Sequence, residues 1–207
     1  MSRSLNSKSW LHRHLNDPYM KKSIKEGYRS RAAYKLLELD KDAKLLKPAM
    51  TVVDLGAAPG GWSQVSAKVA GAKGFVVAID LLDMEPLHGV TFLKGDFSAQ
   101  SGLDALMGAL NGRTVDLVLS DMAPNLTGIA VTDQARMFAL AELALEFCRE
   151  FLKPGGDFVI KVFQGSGYEQ YVRAMRELFT KVTVVKPGAS RAESGELYLL
   201  GKTKKAV

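Results

Sequence analysis

The chain has 207 residues, 47% of them hydrophobic, which is enough for one sizeable core. A single cysteine, Cys148, excludes an intrachain disulfide framework and a multi-cysteine zinc site, and fits a reducing, cytoplasmic setting. No apolar run is long enough to span a bilayer, and the opening residues lack the apolar stretch of a signal peptide.

The net charge of +6 is unevenly placed. Residues 1–47 carry twelve Lys/Arg against five Asp/Glu, whereas the rest carries sixteen against seventeen. Excess positive charge gathered at one end points to a polyanionic partner, nucleic acid before an anionic membrane. Trp10, Tyr19, Tyr28 and Tyr34 lie among these charges and offer rings on which RNA bases can stack. Residues 1–28 show no clear periodicity and read as a basic arm; Lys21, Lys22 and Lys25 within it, and Arg29 and Arg31 just after it, are candidate phosphate contacts.

Ser30 is the expected N-cap of a helix to about Leu46, ended by Lys47-Pro48. Strands and helices then alternate. Thr51–Leu55 reads as a buried strand, Trp62–Ala70 as a helix ended by Gly71, Phe75–Ile79 and Val90–Leu93 as strands. Leu103–Leu110 is a short helix, Val115–Ser120 a strand, and Thr132 caps a long helix to about Leu152. Phe158–Phe163 is a strand, Tyr168–Phe179 a helix, and Val182–Val185 and Leu197–Leu200 are the last two strands. Such alternation implies a doubly wound α/β fold with a mostly parallel sheet. Residues 186–196 have no helical pattern, so strands six and seven must pair antiparallel.

Ligands of such sheets bind beyond the carboxyl ends of the strands, and three features fall there. The loop Gly56-Ala57-Ala58-Pro59-Gly60-Gly61 permits close backbone approach, but its spacing is not that of dinucleotide binders. Asp80 ends the second strand and can accept both hydroxyls of a ribose. Asp96 follows the third and can accept an adenine amino group, with Phe97 as an apolar neighbour. Each alone is commonly a tight turn or a solvated acid; in register they describe an adenosine site without a phosphate cradle. S-adenosylmethionine meets that description, since its sulfonium suits an acidic pocket.

Strand four ends in Ser120-Asp121-Met122-Ala123-Pro124-Asn125, and strand five carries Lys161 among apolar residues. A lysine there is costly unless paired or functional. These segments, together with Tyr28-Arg29-Ser30-Arg31-Ala32-Ala33-Tyr34-Lys35-Leu36, the glycine loop extended through Trp62-Ser63-Gln64, and Lys161-Val162-Phe163-Gln164-Gly165, resemble the FtsJ/RlmE family of ribosomal-RNA ribose 2′-O-methyltransferases over nearly the whole chain.

The resemblance implies a Rossmann-like seven-stranded S-adenosylmethionine methyltransferase fold over residues 29–207, following a basic RNA-binding arm at 1–28. It implies a catalytic set of Lys35, Asp121, Lys161 and Glu196, and cofactor contacts from Gly56, Gly60, Gly61, Trp62, Asp80, Asp96, Phe97 and Asp121. It also implies methylation of a uridine ribose in 23S rRNA, on the assembled large ribosomal subunit, by a monomer with no membrane partner and no metal.

Lys161 is then either a neutral base toward the 2′-hydroxyl or a donor that orients it while the proton leaves to Asp121 or water. Lys35 nearby would depress its basicity, whereas Asp121 and Glu196 would raise it. An NAD-dependent oxidoreductase is the nearest enzymatic rival, with the glycine spacing against it. A non-catalytic RNA-binding factor is the second, with Lys161 against it.

Overall fold

A computed structural model describes residues 17–124, 127–191 and 194–206. Trp10 and Asn125 lie outside the described residues.

Part of the segment that reads as a basic arm without clear periodicity is helical. Residues Pro18–Glu26 form helix α1. Asp17 caps it by accepting the N–H groups of Tyr19 (3.0 Å) and Met20 (3.3 Å), Pro18 occupies its first turn, and Gly27 ends it in the left-handed region at φ 73°. Helix α2, Ala32–Ala43, follows after a turn. Ser30 does not cap it: the Ser30 hydroxyl is buried without a hydrogen-bond partner, and only its carbonyl accepts, from the Ala33 N–H.

The remaining elements are β1 Thr51–Leu55, α3 Gly61–Ala70, β2 Phe75–Asp80, β3 Val90–Lys94, α4 Gln100–Leu110, β4 Val115–Ser120, α5 Ala130–Phe151, β5 Leu152–Phe163, α6 Tyr168–Leu178, β6 Phe179–Val185 and β7 Glu196–Lys204. Helix α5 starts two residues before the expected Thr132 cap. The anchoring side chain is Asp133, which accepts the Thr127 N–H, the Thr127 hydroxyl and the Gly128 N–H. Strand β5 starts earlier than expected because Leu152 already pairs with Val115. Residues 153–156, Lys-Pro-Gly-Gly, then bulge out before regular pairing resumes at Asp157.

The seven strands lie in the order β3-β2-β1-β4-β5-β7-β6. The first five are parallel, and β7 runs antiparallel between β5 and β6. The order reverses between β1 and β4, which opens the ligand crevice at the carboxyl ends of those strands. The terminal hairpin expected from residues 186–196 is present.

Two cores flank the sheet. Val53, Leu55, Val77, Ile79, Phe158 and Ile160 face α4, α5 and α6. Val52, Val76, Leu117, Leu119, Val159 and Tyr198 face α2 and α3. The inner strands β1, β2 and β4 are buried on both sides, which is why they read as continuous apolar runs. Among the described residues no helix is long and apolar enough to cross a membrane.

Candidate active site

Strand alternation selects the residues of the site. In β4 Leu117 and Leu119 face α2 and α3, so Asp121, next in that period of two, emerges on the same side. Lys161 follows Val159 in β5, and Glu196 precedes Tyr198 and Leu200 in β7. Because β7 is antiparallel, its first residue lies at the end where β5 finishes, with Lys161 opposite Tyr198 and Phe163 opposite Glu196. Helix α2 lies over this corner and supplies Lys35.

The four predicted catalytic residues thus meet as two ion pairs. Lys35 Nζ lies 2.6 Å from Glu196 Oε1, with the side chains 13% and 11% exposed. Lys161 Nζ lies 3.0 Å from Asp121 Oδ1 and donates to the Asp121 carbonyl at 2.7 Å. Burial alone would push the Glu196 carboxyl up, but Lys35, bonded to it, and Lys161 beyond hold it below its ordinary value.

Tyr198 joins them, and the sequence reading missed it. Its hydroxyl donates to Asp121 Oδ1 at 2.9 Å, and Lys35 Nζ lies 5.7 Å from its ring centroid. Burial first, then the charges of Asp121 and Glu196, push the phenol far above its ordinary value, so it serves as a donor. A tyrosine in an apolar strand reads as core; its place two residues after Glu196, on the same face, was the available signal.

The cofactor half is built from backbone. Gly56 stands at φ 77°, and a Cβ there would come within 2.7 Å of Met122. Gly60, at φ 106°, would place one 2.8 Å from Met84 Sδ. Gly61 opens α3 against Ser30. The Asp80 carboxylate accepts the N–H of Ala58 at 2.9 Å and that of Leu82 at 2.8 Å, which leaves one acceptor site on each oxygen.

Asp96 is exposed, and Ser98 holds its carboxyl below the ordinary range through its hydroxyl and N–H. Phe97 turns toward the core, edge-on to Phe147 at 5.9 Å. The Trp62 indole is also a core group, donating to the Ala32 carbonyl at 2.8 Å and tilted on Tyr198.

Beneath the glycine turn lies Asp54, which falls within the strand Thr51–Leu55 and was given no role in the sequence reading. It is fully buried, accepts from the Ser63 hydroxyl at 2.6 Å with one oxygen, and has no partner for the other. Burial, and then the charges of Asp121 and Asp80, push its carboxyl up to about 7, with Ser63 opposing. Three carboxylates therefore share one field around the turn, which favours a ligand that carries positive charge. An adenosine with a free ribose diol and an attached sulfonium suits this donor set; a pyrophosphate does not.

The N-terminal rings and arginines differ from expectation. Tyr34 is buried, with Tyr19 and Tyr28 each 5.5 Å from it by centroid. The Tyr34 hydroxyl donates to Glu26 and that of Tyr19 to Glu38, so the trio forms the seam that mounts α1 on α2. Arg31 pairs with Asp17 and donates to the Ala189 carbonyl, and Arg29 donates to backbone carbonyls. Lys21, Lys22 and Lys25 remain exposed.

Comparison with known proteins agrees with this geometry. Residues 28–204 match the FtsJ-like methyltransferase family. The chain is 54% identical over 202 residues to the ribosomal RNA large subunit methyltransferase E of Chromobacterium violaceum, covering 98% of each chain. It is 55% identical over 203 residues to the protein of that name from Neisseria meningitidis, again covering 98% of each. A crystal structure of a ribosomal RNA methyltransferase from Plasmodium falciparum superposes with a TM-score of 0.78 at 29% identity, covering 87% of this chain and 100% of that one. The paired lysines and carboxylates beside the glycine turn, and a family match that spans both, place the chain in the FtsJ-like methyltransferase family.

Proposed function

We propose that the protein transfers the methyl group of S-adenosylmethionine to the ribose 2′-hydroxyl of a uridine in 23S rRNA, within the large ribosomal subunit in the cytoplasm. The observation that carries this reading is the assembly of Lys161, Asp121, Lys35, Glu196 and Tyr198 at the carboxyl end of the sheet, beside the glycine turn. The names of the relatives supply the substrate class.

S-adenosylmethionine, when bound, supplies an electrophilic methyl on a positively charged sulfur. The chain's own residues handle the rest. Asp80 is suited to the ribose hydroxyls, Asp96 to the adenine edge, and Gly56, Gly60 and Gly61 to close approach of the ligand. Transfer to oxygen is an in-line displacement, so holding the attacking hydroxyl at a fixed angle supplies much of the rate.

Two directions around Lys161 Nζ are taken by the Asp121 carbonyl and carboxylate, and a third is left for the 2′-oxygen. That geometry favours the orienting role for Lys161. Asp121 Oδ2 is then the nearby acceptor for the departing proton. Lys35 adds positive charge beside the oxygen as it loses its proton, and Glu196 holds Lys35 in place.

Residues 1–28 serve as the RNA-facing segment in this reading, with Lys21, Lys22 and Lys25 on α1 as phosphate contacts. Replacing these three by Gln should lower the salt slope of RNA binding by about two; an unchanged slope would reject them as contacts.

The test of the whole reading has two arms. Calorimetry should give binding of S-adenosylmethionine and none of NAD. Incubation with labelled S-adenosylmethionine should label undermethylated large subunits and leave fully methylated ones unlabelled. Binding of NAD alone, or a labelled small subunit, would defeat it.

A further inference from the structure

We infer that Arg29 is a positioning residue of the methyl-donor pocket, latching the loop after β2 onto the glycine turn; this rests on the S-adenosylmethionine reading above. The sequence places Arg29 among the basic residues facing RNA, but its guanidinium is engaged elsewhere. Nη1 donates to the Glu85 carbonyl at 2.5 Å and, more weakly, to that of Pro59 at 3.4 Å; Nη2 donates to the Pro86 carbonyl at 2.6 Å. All three acceptors are main-chain oxygens, two on the loop 81–89 and one inside the glycine turn.

The rest of the residue is equally fixed. The Arg29 N–H donates to Gln64 Oε1 at 3.0 Å, and Gln64 Nε2 donates to the Gly27 carbonyl at 2.7 Å, which ties residues 27–29 to the first turn of α3. The side-chain stem lies against Gly60: a Cβ there would come within 3.3 Å of Arg29 Cδ.

The loop so held follows β2 at the carboxyl end of the parallel strands, the end at which the crevice opens. It begins at Asp80, whose Oδ1 accepts the Leu82 N–H, and carries the exposed Leu81 and Leu82. Its return arm packs through Met84 and Leu87 on Ala57 and Ala78. That apolar contact is small, so the forked arginine adds a second polar tie between loop and turn beside the Asp80 carboxylate, which accepts from Ala58 on the turn and Leu82 on the loop. Freed of the arginine, the loop can drift from the turn and carry the Leu82 N–H, one of Asp80's two amide partners, with it. A planar fork suits this site, because its two terminal nitrogens reach carbonyls on two segments at once, which a single ammonium nitrogen does less well.

The test uses Arg29→Lys and Arg29→Ala in the full-length protein. Calorimetry with S-adenosylmethionine should give about tenfold weaker binding for both variants. Without any ligand, amide exchange across residues 81–89 should be faster in both than in wild type. The salt slope of RNA binding should be unchanged in Arg29→Lys, which keeps the charge. Variants that bind the donor and exchange like wild type overturn the latch. So does loss of RNA affinity in Arg29→Ala with intact donor binding. Wild-type protein that takes up no S-adenosylmethionine overturns the donor reading, and the ligand assigned to this loop falls with it.

Discussion

The two sides of the crevice hold their acids differently. On the β1–β2–β3 side, Asp80 and Asp96 accept N–H groups from their own or neighbouring loops, and Asp54 is buried beneath them with one oxygen unpartnered. On the β4–β5–β7 side, Asp121 and Glu196 are matched with lysines and a tyrosine drawn from α2, β5 and β7. One side holds its acids by N–H and hydroxyl donors. The other is charge-balanced before any ligand arrives, so its geometry is set in advance and little reorganisation is needed during transfer.

That contrast can be broken by substitution. The largest effect is expected for Lys161→Ala: single-turnover transfer should fall by about 10²–10⁴-fold, with affinity for S-adenosylmethionine near that of wild type. Near-normal transfer would remove Lys161 from the chemistry. Asp80→Ala should do the reverse, weakening S-adenosylmethionine binding by roughly tenfold or more while transfer at saturating cofactor changes little. If its main effect is on the rate at saturation, the two sides are not separable as described.

Tyr198→Phe sharpens the comparison within the catalytic side. It removes one hydrogen bond to Asp121 and leaves the ring packed on Trp62, so transfer should slow by about five- to tenfold with little loss of stability. An unchanged rate would reduce Tyr198 to a packing residue.

The effect smallest in activity concerns Asp54 and is read in stability. The unfolded chain releases this proton near the ordinary carboxylate value of about 3.9, whereas the folded chain keeps it until about 7. The Asp54 contribution to stability is therefore fully present below about pH 4 and is lost as pH rises to about 7. Asp54→Asn should flatten the fall in stability between those values; the same slope in both proteins would place the proton elsewhere.

Much of this division was legible in the sequence, and unequally. The cofactor side is contiguous: the glycine spacing, and an acid at the end of each of two strands, can be read without knowing the fold. The catalytic side comes from four distant segments, and only the oddity of a lysine in the apolar run Phe158–Phe163 marked it directly. Lys35, Asp121 and Glu196 came through the family resemblance.

Helix α1 was missed because its signals are at its ends, the Asp17-Pro18 cap and Gly27, while its body lacks an apolar stripe clear enough to register. Tyr19, Tyr28 and Tyr34 suggested base stacking because composition alone cannot tell an exposed ring from one in a seam between helices. Arg29 and Arg31 look like surface charge in one dimension; only folding brings carbonyls from residues 59, 85, 86 and 189 to them. Tyr198 became visible once β7 was paired with β5.

The central claim is that the methyl goes to a ribose oxygen at the lysine–carboxylate end of the crevice. Alkaline hydrolysis of 23S rRNA from subunits labelled by the enzyme tests it most directly, since a 2′-O-methyl group blocks cleavage of the adjoining linkage. Label recovered in an alkali-resistant dinucleotide beginning with uridine is the predicted result; label released in a mononucleotide, with the methyl on the base, would contradict it.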